Sequence, residues 1–269
     1  MPNPASTDLP NPASYADLGD GTLRDNVTGL VWQKTVTTAQ AYTWAAASPY
    51  CSSLTLAGRT WHLPSRIELL SIVDFTRNPG INPTAFPDTP GGKYHWTSTP
   101  WVVSQISTKP QDAWIVNFSD SGLDSNAAAQ TDTEYVRCVS SPTKTALPSP
   151  LYVQVGPGEV QDLETKLVWA QVSHLTAVSQ SDAATVCSTL ALNGHTWRLP
   201  SINEMSTLVD DNPDIAKVSP AIDRCVFADT PENDWYITSS STGSDAWAIN
   251  YLDGFTSHSQ TMGFVRCVR

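Results

Sequence analysis

The chain is short of charge. Charged residues are 15% of its 269 positions, and the basic ones are scarcer, 15 Lys and Arg against 26 Asp and Glu, for a formal net charge of −11. Few cations in an acidic chain argue against a generic electrostatic grip on nucleic acid or on an anionic membrane surface, which needs Lys/Arg patches. No apolar run is long enough to span a bilayer, so no transmembrane segment is expected. The opening "MPNPASTDLPNPAS" has no signal-peptide pattern and reads as a flexible leader over residues 1–14. Cysteine is sparse too, five residues with no CxxC spacing of a zinc or redox site. Nucleophile-elbow, P-loop, dinucleotide and HExxH motifs are all missing. His62, His95, His174, His195 and His258 show no metal-ligand spacing, and none recurs at a matched position. The chain is therefore expected not to be an enzyme, and no catalytic residue is assigned.

What the chain does have is repetition, which decides a fold before local patterns do. "TWHLPSRIELLSIVD" (Thr60 to Asp74) returns as "TWRLPSINEMSTLVD" (Thr196 to Asp210). "GDGTLRDNVTGLVW" (Gly19 to Trp32) aligns without gaps on "GPGEVQDLETKLVW" (Gly156 to Trp169). Cys51 matches Cys187, "PDTP" matches "ADTP", "DAWIVNFSDSG" matches "DAWAINYLDGF", and "YVRCV" matches "FVRCV", all in the same order. Two copies of one unit follow, at residues 15–139 and 151–269, with the proline-rich 140–150 as linker. The first 140 residues carry eight basic and twelve acidic side chains, the rest seven and fourteen, so neither copy is a basic module.

Each copy opens with a predicted hairpin, "GTLRD" and "GLVWQ" about "NVT" in the first. Ala-rich helices are predicted over Thr38 to Ala47 and Ser179 to Leu192. In the repeated phrase, proline holds Trp-x-Leu extended. Ser65 with Glu68, and Ser201 with Glu204, then form capping boxes that start a helix with an apolar face at Ile67, Leu70 and Val73. A long Pro-, Gly- and Asn-rich excursion follows, at 78–92 and 212–234. Strands are predicted at "HWTST" and "DAWIVNF", at "WYITSS" and "DAWAINY", and at the closing "YVRCV" and "FVRCV". The fold class is α+β, two helices and a small, mostly antiparallel sheet with long irregular loops in each copy.

One cysteine follows the first helix and one lies in the closing segment of both copies. The recurrence predicts Cys51–Cys138 and Cys187–Cys267 disulfides and an oxidising compartment. Cys225 has no counterpart and is read as a free thiol, with pairing to another molecule as the alternative.

Together, Gly-Leu-Val-Trp, Trp-x-Leu-Pro-Ser-x-x-Glu-Leu, Phe-Pro-Asp-Thr-Pro, Trp-Thr-Ser-Thr, Ala-Trp-x-Val-x-Phe and Val-Arg-Cys-Val resemble the Lcl C-terminal domain family, named from a legionella collagen-like adhesin. The resemblance covers nearly everything outside leader and linker. The second copy departs at "YITSSS" and at the insertion near Cys225. It implies two tandem C-type-lectin-like domains, bacterial secretion or surface display, and binding rather than catalysis. The family's named member recognises sulfated glycosaminoglycans; a sulfated polymer needs clustered Lys/Arg, and both copies here are acidic.

Aromatics shared by the copies are assigned to the fold: Trp32 and Trp169, Trp61 and Trp197, Trp114 and Trp247. Those that differ, with Trp44 among them, are free to meet a ligand. Exposed rings stack on sugars or anchor protein contacts, and nearby Asp and Asn take hydroxyl hydrogen bonds. The candidate ligand residues are Tyr94, His95, Trp96, Trp101, Asn233, Asp234, Trp235 and Tyr236. No cofactor is required; calcium is the one cation left open, at Asn117, Asp120, Asp124, Asn250 and Asp253, with turn formation as the alternative role. The expected partner is a glycan or, alternatively, a cell-surface protein bound without sugar affinity; an enzyme on a lectin-like scaffold is the third reading. Nucleic acid is not expected.

Overall fold

The computed structural model describes residues 1–36, 41–89, 94–101, 112–118, 125–141, 151–210, 221–231, 233–242 and 245–269. The chain divides into two compact units, Met1–Lys144 and Thr145–Arg269. The first runs β1 (Tyr15–Asp17), β2 (Thr22–Asp25), β3 (Val31–Gln33), α1 (Trp44–Ser52), α2 (Arg66–Leu70), β4 (Tyr94–Trp101), β5 (Asp112–Asn117), β6 (Ser125–Ala129) and β7 (Val139–Ser140). The second runs β8 (Tyr152–Gly156), β9 (Glu159–Asp162), β10 (Val168–Ala170), β11 (His174–Val178), α3 (Gln180–Ser188), α4 (Ile202–Ser206), β12 (Trp235–Thr242), β13 (Asp245–Asn250), β14 (Thr256–Gln260) and β15 (Gly263–Val265). Among the described residues each unit is α+β with short helices, but it holds two small sheets where one was expected. Their orders are β1-β2-β3-β7 and β4-β5-β6, then β10-β9-β8 and β11-β15-β12-β13-β14. Pairing is antiparallel except between β12 and β15.

The hairpins form because an aspartate builds each turn. Asp25 Oδ1 accepts from Val27 N at 2.8 Å and Asp25 Oδ2 from Thr28 Oγ1 at 2.7 Å. Asp162 repeats the pattern on Glu164 N and Thr165 Oγ1, at 2.8 and 2.7 Å. Both aspartates are buried, so these bonds replace the water each carboxylate loses.

The repeated phrase is scaffold. Both capping boxes close: Ser65 Oγ accepts from Glu68 N, Ser201 Oγ from Glu204 N, and each glutamate accepts from its own serine N. The first free helical N–H of each helix finds a strand hydroxyl instead, Arg66 N on Thr99 Oγ1 at 2.9 Å and Ile202 N on Ser240 Oγ at 3.1 Å. Trp61 and Trp197 are buried, each donating Nε1 to a leucine carbonyl, Leu56 at 3.0 Å and Leu192 at 3.2 Å. The other shared tryptophans are buried as well.

Several boundaries depart from the sequence expectation. The first helix was expected to begin at Thr38, but residues 37–40 lie outside the described residues. α1 begins at Trp44 because Tyr42 is held extended by a two-way backbone bridge to Glu134. α3 stops at Ser188, before the expected Leu192. Leu190 and Leu192 turn in to cover the core, and Asn193 and Gly194 take left-handed backbone at φ 50° and 73°. α2 ends at Leu70, with Ile72 and Val73 buried in the turn beyond it. The closing "YVRCV" and "FVRCV" are strand only at Val139–Ser140 and Gly263–Val265, which leaves Cys138 and Cys267 outside strands.

Both expected disulfides are present, Cys51–Cys138 and Cys187–Cys267, with Cα atoms 5.5 and 5.4 Å apart. Cys225 is free and exposed. Each bridge sits in a core cluster, the first with Trp61, Trp96 and Ile115, the second with Trp197, Ile237 and Val265. Residues 1–14, read as a flexible leader, lie folded on the first unit. Asn3 is buried and exchanges backbone bonds with Asn11 and Ala13, and Ser6 Oγ lies 3.1 Å from Thr76 Oγ1.

Candidate functional site

β4 and β12 occupy equivalent places, and their registers place the candidate residues. Tyr94 pairs with Asn117 across β4 and β5, and Trp235 pairs with Asn250 across β12 and β13. The head of each strand thus sets an aromatic ring directly opposite an asparagine, in both units. Tyr94, Trp101 and Trp235 are half-buried, while Asn233 and Asp234 are exposed on the approach to Trp235.

Successive residues of a strand point to opposite faces, and both faces of β4 are covered just past its head. His95, Trp96 and Tyr236 are wholly buried, which removes them from any contact surface. Trp96 belongs to the core around the Cys51–Cys138 bridge and donates Nε1 to Tyr42 O at 2.7 Å. His95 meets Phe118 edge-on at 5.0 Å. Tyr236 stacks edge-on against Tyr251 at 5.3 Å, and its hydroxyl lies 3.1 Å from Ser173 Oγ. Burial, the largest influence, pushes its pKa up, with Arg266 opposing. Of the eight candidate ligand residues, then, five retain exposure: Tyr94, Trp101, Asn233, Asp234 and Trp235.

Asn250 and Asp253 act as turn formers. Asn250 Oδ1 accepts from Leu252 N at 2.7 Å and Asp253 Oδ1 from Phe255 N at 3.1 Å. Burial raises the Asp253 pKa, which the Phe255 N–H partly offsets. Asn117 is buried, and Asp120 and Asp124 lie outside the described residues. Among the described residues no three His, Cys, Asp or Glu side chains gather as a metal-ligand set.

A further aromatic surface surrounds the first unit's core. Tyr42, Trp44, Tyr50 and Tyr94, all half-buried, pack against the cluster that holds Trp96 and the disulfide. Tyr42 and Tyr50 lie ring to ring, centroids 4.5 Å apart and planes tilted by 30°. Trp44 donates Nε1 to Thr97 O at 2.8 Å. Alignment through Cys51 and Cys187 sets Val178, Gln180 and Val186 at the equivalent positions of the second unit. Gln180 Nε2 keeps the anchoring bond, to Thr238 O at 2.7 Å. Tyr42 and Tyr50 belong to no motif; their one signal in the sequence is that contrast with two valines.

A cavity of about 300 Å³ in the first unit lies between residues 2–6 and the turn after α2, with Tyr15, Asp74 and Arg77 in its wall. It contains none of the candidate ligand residues, and no aromatic but Tyr15 lines it.

The model of the Lcl C-terminal domain matches residues 21–140 and, a second time, residues 158–269. No curated protein matches the chain.

Proposed function

The chain belongs to the Lcl C-terminal domain family, as two tandem copies, and from that membership we propose a secreted or surface-displayed adhesion module that recognises carbohydrate. The family supports a binding or adhesion-type role. The observation that carries the carbohydrate reading is the recurrence, at the same strand head in both units, of a half-buried aromatic ring, Tyr94 in the first and Trp235 in the second. A ring face receives the apolar face of a sugar, and Asn233 and Asp234 beside Trp235 offer donors and acceptors to its hydroxyls. The acidic balance turns the preference away from sulfated polymers and toward uncharged glycans. Two units in one chain let weak sites add by avidity.

The proposed scaffold is C-type-lectin-like. A disulfide ties the first helix of each unit to its closing segment, and the long excursion leads into the strand that presents the ring. Secretion is supported by the two disulfides; no helix among the described residues is long and apolar enough to cross a membrane. We assign no catalysis to the chain. A glycan array on the full chain tests the reading: wild type should retain neutral oligosaccharides, and Trp235→Ala and Tyr94→Ala should each reduce retention. An array silent to the wild type rejects it.

One observation favours a protein partner for the second unit. Val153, Val155, Val172, Leu175 and Met262 are exposed there, on or beside strands β8, β11 and β15. Binding of a protein through these side chains would coexist with sugar binding at the strand heads.

A further inference from the structure

We propose that the first unit carries a second sugar subsite that the second unit lacks, the Tyr42–Tyr50 pair, and that it takes an uncharged sugar residue through the sugar's apolar face. The proposal rests on the carbohydrate reading above and adds to it a place, a ligand class and an asymmetry between the units.

The two cores are covered by the same shell. Leu54 and Leu56 in the first unit stand where Leu190 and Leu192 stand in the second, and all four pack on their disulfide clusters. At the two other matched places the first unit has Tyr42 and Tyr50, the second Val178 and Val186. Valine is enough to close the second unit's core, where Ile237 stands in place of Trp96. The tyrosines bring area and hydroxyls beyond what closure needs, and both rings remain half-exposed.

The pair is also held in place before any ligand arrives. Tyr42 is fixed by its backbone bridge to Glu134 and by the Trp96 Nε1 bond to its carbonyl. Tyr50 lies in α1, one residue before the disulfide-bonded Cys51. A rigid ring costs little ordering entropy on binding. Among the described residues neither hydroxyl has a hydrogen-bond partner, so both are available to a ligand's hydroxyls. Burial, then Tyr50, raises the Tyr42 pKa further above neutral.

The surroundings select the ligand. α1 contains no charged residue. The segment that bridges Tyr42, Gln130 to Glu134, carries Asp132 and Glu134 and no cation. A sulfate, phosphate or uronate would find no Lys or Arg there. A protein partner would need an apolar core in an interface of roughly 1,200–2,000 Å². Among the described residues of the first unit, Leu18 is the one exposed large aliphatic side chain. A ring pair with no broad rim of exposed aliphatic side chains among the described residues fits one sugar ring better.

The test grafts the second unit's residues onto the first. Full-length Tyr42→Val/Tyr50→Val is compared with wild type by calorimetric titration with the neutral oligosaccharide best retained on the array. Circular dichroism and the thermal midpoint serve as fold controls. Because Val178 and Val186 close the equivalent core, the variant should fold. It should bind about tenfold or more weakly, the loss of roughly 1.4 kcal/mol expected for one stacking contact. Tyr50→Phe should bind within about threefold of wild type, and Leu18→Ala, at an exposed site given no role in binding, should bind as wild type. A folded Val/Val variant with wild-type affinity overturns the subsite while leaving the carbohydrate reading intact. A wild type that binds sulfated but not neutral saccharides overturns the ligand class. A wild type that binds no saccharide overturns both.

Discussion

Arg137 lies over Phe86, its guanidinium carbon 4.9 Å from the ring centre. Arg137 is wholly buried and donates to Gln33 O at 2.6 Å, Lys34 O at 3.0 Å and Thr89 Oγ1 at 2.8 Å. Its twin Arg266 stands 4.6 Å from Phe227 and donates to Ala170 O, Gln171 O and Thr230 Oγ1. The arginine of the closing block thus grips the hairpin's exit strand and the "DTP" loop together. Three blocks that recur far apart in sequence are one contact in space. Burial pulls the Arg137 pKa down to about 9, opposed by Asp88, so the group stays charged at neutral pH.

Arg137→Met should therefore cost the first unit about 3 kcal/mol, since methionine fills part of the volume but leaves buried acceptors unpaired. Urea unfolding should show one of two transitions moving to lower denaturant. Equal stability in wild type and variant would mean that the grip contributes nothing net.

The first unit's capping box should weaken in acid. Glu68 lies 3.1 Å from His62, whereas Glu204 is held by both terminal nitrogens of Arg198 at 2.7 Å. Burial works to raise the Glu68 pKa, but the bonds from His62 and the Ser65 N–H outweigh it and hold the carboxyl below its usual 4.5. A carboxyl depressed by folding stabilises above its unfolded pKa and loses that contribution as pH falls through the lower folded value. Glu68→Gln should therefore cost about 1 kcal/mol at pH 7 and far less at pH 3, read by urea unfolding at each pH. An equal cost at both would place the effect in packing rather than charge.

Alkylation of the unreduced protein should modify a single thiol, Cys225, and peptide mapping should find each bridge within its own unit. The Cys51→Ala/Cys138→Ala pair should lower stability by about 4 kcal/mol, the loop-closure cost for so distant a link. A bridge between the units, or several reactive thiols, would contradict the assigned pairing.

Glu159 and Arg269 mark a coordinated difference between the units. They lie 3.0 Å apart, with Asn193 Nδ2 2.9 Å from the same carboxylate. The aligned positions in the first unit are Thr22 and Ser140, both buried. Glu159→Thr alone leaves the Arg269 guanidinium without its carboxylate, while Glu159→Thr/Arg269→Ser sets the first unit's neutral residues at both positions. The double change should be less destabilising than the sum of its parts by about 1–2 kcal/mol in denaturant melts. Additive costs would show that the pair is not coupled.

Much of the scaffold is readable because its causes are local. A capping box spans four residues, an Asp-built turn four, and the Pro-held Trp-x-Leu three. Both cysteine pairs were readable for another reason: duplication shows the same two positions twice. Helix lengths were not readable, because α1 is delayed by a bridge from Tyr42 to Glu134 and α3 is ended by leucines that turn toward the core. The candidate surface was half readable. A loop-to-strand aromatic run can be found in sequence, but strand register decides that Tyr94 and Trp235 retain exposure while His95, Trp96 and Tyr236 are consumed by the core.

The amino-acid sequence by itself determined that this is one unit written twice, where the two capped helices of the repeated phrase begin, which cysteines pair, and that the chain is poor in cations. Those properties depend on neighbours along the chain or on comparison of one copy with the other. Tertiary structure alone decided that Arg137 unites three distant blocks, and that Tyr42 and Tyr50 meet ring to ring. It also decided which of two adjacent aromatics faces solvent. The physical reason is that burial and contact are set by what packs across from a residue, and a chain's order does not state which distant segment that will be.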